Sequence, residues 1–259
     1  MTSRPATPPA ARAAITDELK ANALRAVNQR SQGRLVLEWL KSFVIAVCIF
    51  FLVRAFLVEA FKIPSGSMEK TLLVGDFLLV NKAVYGAEVP FTHARLPAIS
   101  KPGRGDVIVF DFPREPSKNF VKRLIGVPGD TLESREGSIY RNGRALAEPY
   151  VAHNDPNSDI SNEDFHWQRD YLVRSAEASI GYHPSRNNWG PLVVPERSYF
   201  VLGDNRDNSF DSRYWGFVPD SLVKGRPLVV YYSYERDQTH RFTSWLTHVR
   251  WGRIGERIR

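Results

Sequence analysis

The chain has 259 residues, 43% of them apolar and 24% charged, with a formal charge of +7. That balance suits a globular protein with one anchor and excludes a collagen-like chain, general disorder and a many-span transporter. A lone cysteine, Cys48, excludes an internal disulfide and a thiolate metal cluster, and the six histidines show no zinc-type spacing. No metal and no cofactor are expected.

Residues 1–14, rich in Pro, Ala and Thr, read as disordered, and Thr16–Gln29 as a weak amphipathic helix capped by Thr16. Residues 1–34 are basic, with net charge +4. The segment "LVLEWLKSFVIAVCIFFLVRAFLVEAF", 35–61, follows. Its uninterrupted apolar core, Ser42–Val53, is short for a bilayer, but Leu35–Val58 has enough length if Lys41 and Arg54 snorkel to opposite headgroup layers. Trp39 suits an interface. A transmembrane helix is therefore expected over 35–61, with a buried core helix and a cleavable signal as rival readings. The positive-inside rule puts the N-terminus in the cytoplasm and everything after Phe61 outside.

Beyond Pro64 short β-type runs take over: 76–82, 106–112, 120–127, 138–143, 198–204 and 227–234, bounded by Gly, Pro and Asp. Asn142-Gly143 reads as a primed hairpin turn. The fold class expected is mainly β, an all-β outward domain with an inserted β-rich subdomain, preceded by one N-terminal transmembrane helix. The expected divisions are a basic segment 1–34, the helix 35–61, the first part of the β domain 62–143, an insertion or loops 144–197, its second part 198–243, and a basic tail 244–259. The basic residues concentrate at the two ends, as expected for contact with anionic lipid rather than nucleic acid.

"FKIPSGSMEK", 61–70, places two serines and a glycine in a turn just after the apolar segment. Ser67-x-x-Lys70 matches the serine–lysine motif of β-lactamases, but the S-D-N and K-T-G elements that should accompany it do not occur in the chain. The rival base is Lys122, in a strand-like run beside Phe120, Val121, Leu124 and Ile125. A lysine is a base only when neutral, and burial can lower its pKa by several units. A neutral amine beside a serine is a recognised nucleophile–base pair.

Four segments then occur in order: "IPSGSM" (63–68), "RGDVIVF" (104–110), "VKRLIGVPGD" (121–130) and "GDNRDNSFDSRYWGFVP" (203–219). Together they resemble the conserved boxes of bacterial type I signal (leader) peptidases. The resemblance implies Ser67 as nucleophile and Lys122 as general base. It further implies Ser209 hydrogen-bonded to the Lys122 amine, and an oxyanion site made of the Ser65 hydroxyl and the Ser67 N–H. Asp211 and Arg213 are implied as a supporting salt bridge, with Asp204 and Arg206 packed nearby and Gly203 permitting close backbone approach. Gly66 is read as giving the backbone freedom to present Ser67. Ile63, Met68, Leu72 and Phe120 suit the walls of shallow apolar substrate pockets. Residues 144–197 match no box.

The function so implied is a membrane-bound serine endopeptidase that removes signal peptides from secreted preproteins, cutting after small residues in an A-x-A pattern. Its place would be the bacterial inner membrane, single-pass, with the catalytic domain on the periplasmic face. Trp245, Trp251 and the basic tail are expected to brace it on the headgroups. Two other readings stand beside it. One is a related serine–lysine processing protease, of conjugation-system or self-cleaving type; the other is a non-catalytic anchored β-domain.

Overall fold

The computed structural model describes residues 36–89, 92, 94–155, 158–173, 181–235 and 244–259. The expectations for residues 1–34 lie outside them. The chain divides into two units, Met1–Val53 and Arg54–Arg259. Helix α1 (Val36–Phe56), most of which belongs to the first, is long and apolar enough to cross a membrane. Its large apolar side chains, Leu37, Phe43 and Phe51 among them, are exposed, unlike those of a core helix.

The helix ends earlier than expected. Residues Val58–Lys62 form strand β1, not a last helical turn. Its register against β2 (Asp76–Asn81) runs from Val58↔Asn81 to Lys62↔Phe77, and the ladder extends through the Ile63 amide to the Asp76 carbonyl. Cross-strand pairing thus overrides an apolar pattern that reads as helix in the sequence.

The larger sheet adds β3 (Val107–Phe112), β4 (Glu115–Gly126), β9 (Ser198–Leu202), β10 (Val218–Pro219) and β11 (Val223–Ser233). Its order is β1-β2-β11-β3-β4-β9-β10, with antiparallel pairing throughout. Strand β3 is buried on both faces, which is why "VIVF" is continuously apolar rather than alternating. One face packs Ile108 and Phe110 with Leu124, Val201 and Trp215. The other packs Val107 and Val109 with Ile63, Met68, Leu72 and Leu78.

A second sheet, of order β7-β6-β5-β8, comprises β5 (Thr131–Arg135), β6 (Ser138–Arg141), β7 (Arg144–Ala145) and β8 (Trp189–Val193). It begins before residue 144, the start expected for the insertion, because β6 and β7 form one hairpin across that boundary. Asn142 and Gly143 both have positive φ, 54° and 76°, as a primed turn requires. Between β7 and β8 a nine-residue 3-10 segment, Glu163–Tyr171, packs Phe165 against Tyr214.

The basic tail is not free. Arg253 forms a salt bridge of 2.7 Å with Asp76, which is fully buried and also accepts from Ser233 Oγ at 2.6 Å. Arg250 donates to the Val74 carbonyl, and Ile258 enters the core. These arginines staple β2 and β11 at the end of the sheet where the chain turns towards Ser67. Removing one member of such a buried pair leaves the other uncompensated. Asp76→Ala is expected to lower the unfolding free energy by about 3 kcal/mol, measured as a shift of the urea midpoint for the full chain in detergent.

Candidate active site

After Ile63 the chain leaves the sheet through Pro64 and Ser65 into a single 3-10 turn, Gly66–Met68. Met68 is driven into the core and draws Ser67 inward with it, so that both are buried. Lys122 lies on β4 opposite Ile108, and Phe120 and Leu124 share its face by strand alternation. The two residues, 55 apart in sequence, meet: Lys122 Nζ donates to Ser67 Oγ at 2.7 Å. The amine also contacts the Val121 carbonyl at 3.2 Å and lies 5.4 Å from the centre of the Phe120 ring.

Lys122 is only 4% exposed. Burial pushes its pKa down to about 8; Asp211 and Asp204 pull upward, and Arg213 adds to the lowering. Each of those carboxylates is matched by an arginine. Asp211 pairs with Arg213 at 2.8 Å, and Asp204 is held by Arg123 through bonds of 2.8 and 2.6 Å. Burial opposes the Asp211 charge, but Arg213 and the Gly203 amide outweigh it and keep its carboxyl below the usual range. The amine therefore faces paired charges, not a bare carboxylate that would hold its proton.

The remaining expected residues fall around this pair. Arg206 pairs with Glu148 at 2.6 Å and donates to the Gly203 carbonyl at 3.1 Å. Ser209 is buried next to Gly203, but its hydroxyl makes no bond of good geometry among the described residues, to Lys122 or to any other group. Ser65 is exposed at the mouth of the turn. A Cβ on Gly66 would meet only Glu69 Oε2, at 3.6 Å, and its φ is not positive, so conformational freedom is not what this glycine supplies. Gly203 is different: a Cβ there would lie 2.2 Å from Ser209 Oγ and 2.5 Å from the Ser67 carbonyl oxygen.

A cleft of about 470 Å³ opens onto the pair, lined by Ile63, Met68, Phe120, Val121 and Phe210 among others. Leu72 does not line it; it is wholly buried beneath Ile63 and Met68 and supports the floor. Lys70 is turned away, donating to the carbonyls of Pro149 and Val151 at 2.8 and 3.0 Å. It has φ 82°, so no helix carries it back to Ser67, and the β-lactamase-like base is excluded.

Sequence reasoning missed Arg123, Glu148 and Thr71, whose hydroxyl donates to Asp204 at 2.5 Å. Arg123 adjoins Lys122 in sequence and could have been suspected as the partner of an acid in the 203–219 segment. Glu148 belongs to a stretch without any recognisable motif.

A serine hydroxyl bonded to a buried lysine amine at the floor of an apolar cleft is the arrangement of a serine–lysine hydrolase. Comparison with known proteins supplies the family. The family model for signal peptidase, peptidase S26, matches residues 36–232. Signal peptidase I of Pseudomonas aeruginosa is 40% identical over 213 residues, covering 77% of this chain and 74% of its own. That of Aquifex aeolicus is 35% identical, covering 74% and 82%. The chain belongs to the signal peptidase family, peptidase S26, as a serine endopeptidase that removes signal peptides.

Two outcomes follow from the packing. Gly203→Ala sets a Cβ against both Ser209 and the Ser67 carbonyl and is expected to lower turnover of a preprotein by about 10²-fold, on the scale of losing a catalytic group. Lys122→Met concerns stability. The lysine pKa is depressed in the fold, so the unfolded chain binds the proton more tightly. The resulting penalty is complete below about pH 8 and is relieved as pH rises towards 10.5. It amounts to about 3 kcal/mol at neutral pH. Lys122→Met is expected to raise the unfolding free energy at pH 7 by about 1–3 kcal/mol, a gain that shrinks above pH 9 in urea titrations.

Proposed function

We propose that the endopeptidase works by a Ser67–Lys122 dyad at the outer face of a bacterial inner membrane, cutting after small residues. The observation that carries this reading is the 2.7 Å contact between Ser67 Oγ and an amine whose pKa is brought to about 8 by burial.

Ser67 Oγ attacks the carbonyl carbon of the scissile bond while its proton passes to neutral Lys122. The carbonyl oxygen takes the negative charge, and the Ser67 N–H and Ser65 hydroxyl stabilise it. When the intermediate collapses, the ammonium of Lys122 returns the proton to the departing amine, leaving an ester on Ser67. Water then attacks that ester, giving its proton to the neutral lysine, and Ser67 is released with the signal peptide's new carboxylate. The family resemblance gives Ser209 the part of holding the Lys122 amine; its buried hydroxyl sits against Gly203, close to the nucleophile turn.

The substrate enters as an extended strand. Strand β1 is a sheet edge, and β4 pairs with β9 only from Arg123 onward, so both present free main-chain groups towards the cleft. Alternate substrate side chains then face the Ile63–Met68 floor, whose buried side chains leave shallow space suited to Ala, Gly or Ser. Ser67 follows Phe56, the last residue of the helix, by eleven residues, which supports a nucleophile close to the membrane from which a preprotein emerges. Exposed Trp245 and Trp251, the latter 76% accessible, suit the headgroup layer, with anionic lipid as partner. Since Arg250 and Arg253 are engaged by Asp76, the membrane contact falls to the tryptophans more than to the tail's charge.

Cleavage of a preprotein by Ser67→Ala and Lys122→Met is expected to be lost, while Lys70→Met stays near the unsubstituted rate. Retained activity in Lys122→Met with loss in Lys70→Met would sink the dyad. The kcat/KM is expected to rise tenfold per pH unit at acid pH and level off near pH 8, because only the neutral amine reacts.

A further inference from the structure

Asn205 is fully buried behind the nucleophile turn and holds it at three points. Its backbone N–H donates to the Ser67 carbonyl at 3.1 Å. Its Nδ2 donates to the Gly66 carbonyl at 3.2 Å and to Glu69 Oε2 at 3.1 Å. Two acceptors facing one end of the side chain fix which end is the NH2, since a carboxamide oxygen could satisfy neither. Asn154 Nδ2 binds the same Glu69 oxygen at 3.1 Å, so the carboxylate that orients Asn205 is itself held.

The Gly66 carbonyl and the Ser67 N–H belong to one planar peptide group and point in opposite directions. Tethering the oxygen therefore bears on the direction of the N–H; the Glu69 N–H already holds that oxygen at 3.0 Å within the turn, and Asn205 adds a second restraint from outside it. The bond to the Ser67 carbonyl fixes the next peptide group in the same way. We propose that Asn205, oriented by Glu69, is a positioning residue that aims the Ser67 N–H at the oxyanion of the tetrahedral intermediate. It acts through that peptide group and touches neither substrate nor base. The inference rests on Ser67 being the nucleophile and adds to that reading the means by which its oxyanion donor is pre-aimed. Hydrogen bonds of this kind count most where charge develops only in the transition state, so their loss falls on kcat rather than on binding.

The test uses the full chain in detergent with a peptide substrate and a substrate-like peptide aldehyde. Ser67 Oγ adds to the aldehyde carbon, and the former carbonyl oxygen occupies the oxyanion position. For Asn205→Ala, kcat is expected to fall about 10- to 100-fold with KM within about twofold. Aldehyde affinity is expected to fall by a similar factor, and the acid limb of the pH profile to stay in place. Glu69→Ala alters an exposed side chain that the core does not need. It is expected to give the same signature on a smaller scale, and it decides the matter if Asn205→Ala does not fold. An unchanged kcat, a loss confined to KM, or a fall in kcat with aldehyde affinity intact would overturn the assignment. Ser67→Ala separates the two levels. If it still turns over substrate, the nucleophile reading fails. If it is dead while both clamp variants match the unsubstituted enzyme, only the clamp fails.

Discussion

The structure depends on the cost of keeping one amine dry. Lys122 is enclosed by Phe120, the strand it sits on and the turn that carries Ser67, and an ammonium in that place has lost its water without gaining a carboxylate of its own. The nearby acids are committed elsewhere, Asp211 to Arg213 and Asp204 to Arg123. Pairing matters here more than distance. A bare carboxylate in the same position would favour the charged lysine and remove its basicity at neutral pH. The arginines that pair with these acids thus also protect a pKa.

The sheet supplies the precision this needs. Lys122 is fixed in register by β3, and Ser67 is fixed by a ladder that continues past β1 to Ile63 and Asp76. A site made from a strand and a turn clamped at both ends suits proton transfer, since a misplacement of about 1 Å can cost about 10²-fold in rate. Asp76, Ser233 and the tail arginines lock the foundation of that turn, while Gly203 lets Ser209 and the Ser67 carbonyl pack at a separation no side chain would allow. Burying Lys122 costs stability, a trade common where an active site departs from what folding alone would choose.

Much of this was legible in the sequence, for physical reasons that vary by element. Strands β2, β3 and β9 announce themselves because β-branched and aromatic runs are closed off by Gly, Pro or Asp. Strand β1 was hidden because "VEAF" prolongs the apolar character of α1, and only its partner β2 makes it extended. Strands β5 and β8 were hidden too: "TLESR" is polar on one face, and "WGPLV" contains the glycine and proline that usually argue against a strand. At the site, Ser67 and Lys122 were named from the ordered boxes; no local spacing could bring together residues so far apart. Lys70 was the nearer candidate by spacing, and the fold turned it outward to two backbone carbonyls. The pairing of Arg206 with Glu148 was out of reach, since its acid comes from a segment without a motif.

The central claim is that burial brings the Lys122 amine down to a pKa of about 8 in the resting enzyme, so that a reactive neutral fraction exists near neutral pH. The most direct measurement is the titration of its ζ-nitrogen by 15N NMR of lysine-labelled protein, with the signal assigned by its absence in Lys122→Met. A midpoint near pH 8 would bear out the account. A midpoint at the ordinary lysine value, with the amine still charged at pH 9.5, would contradict it.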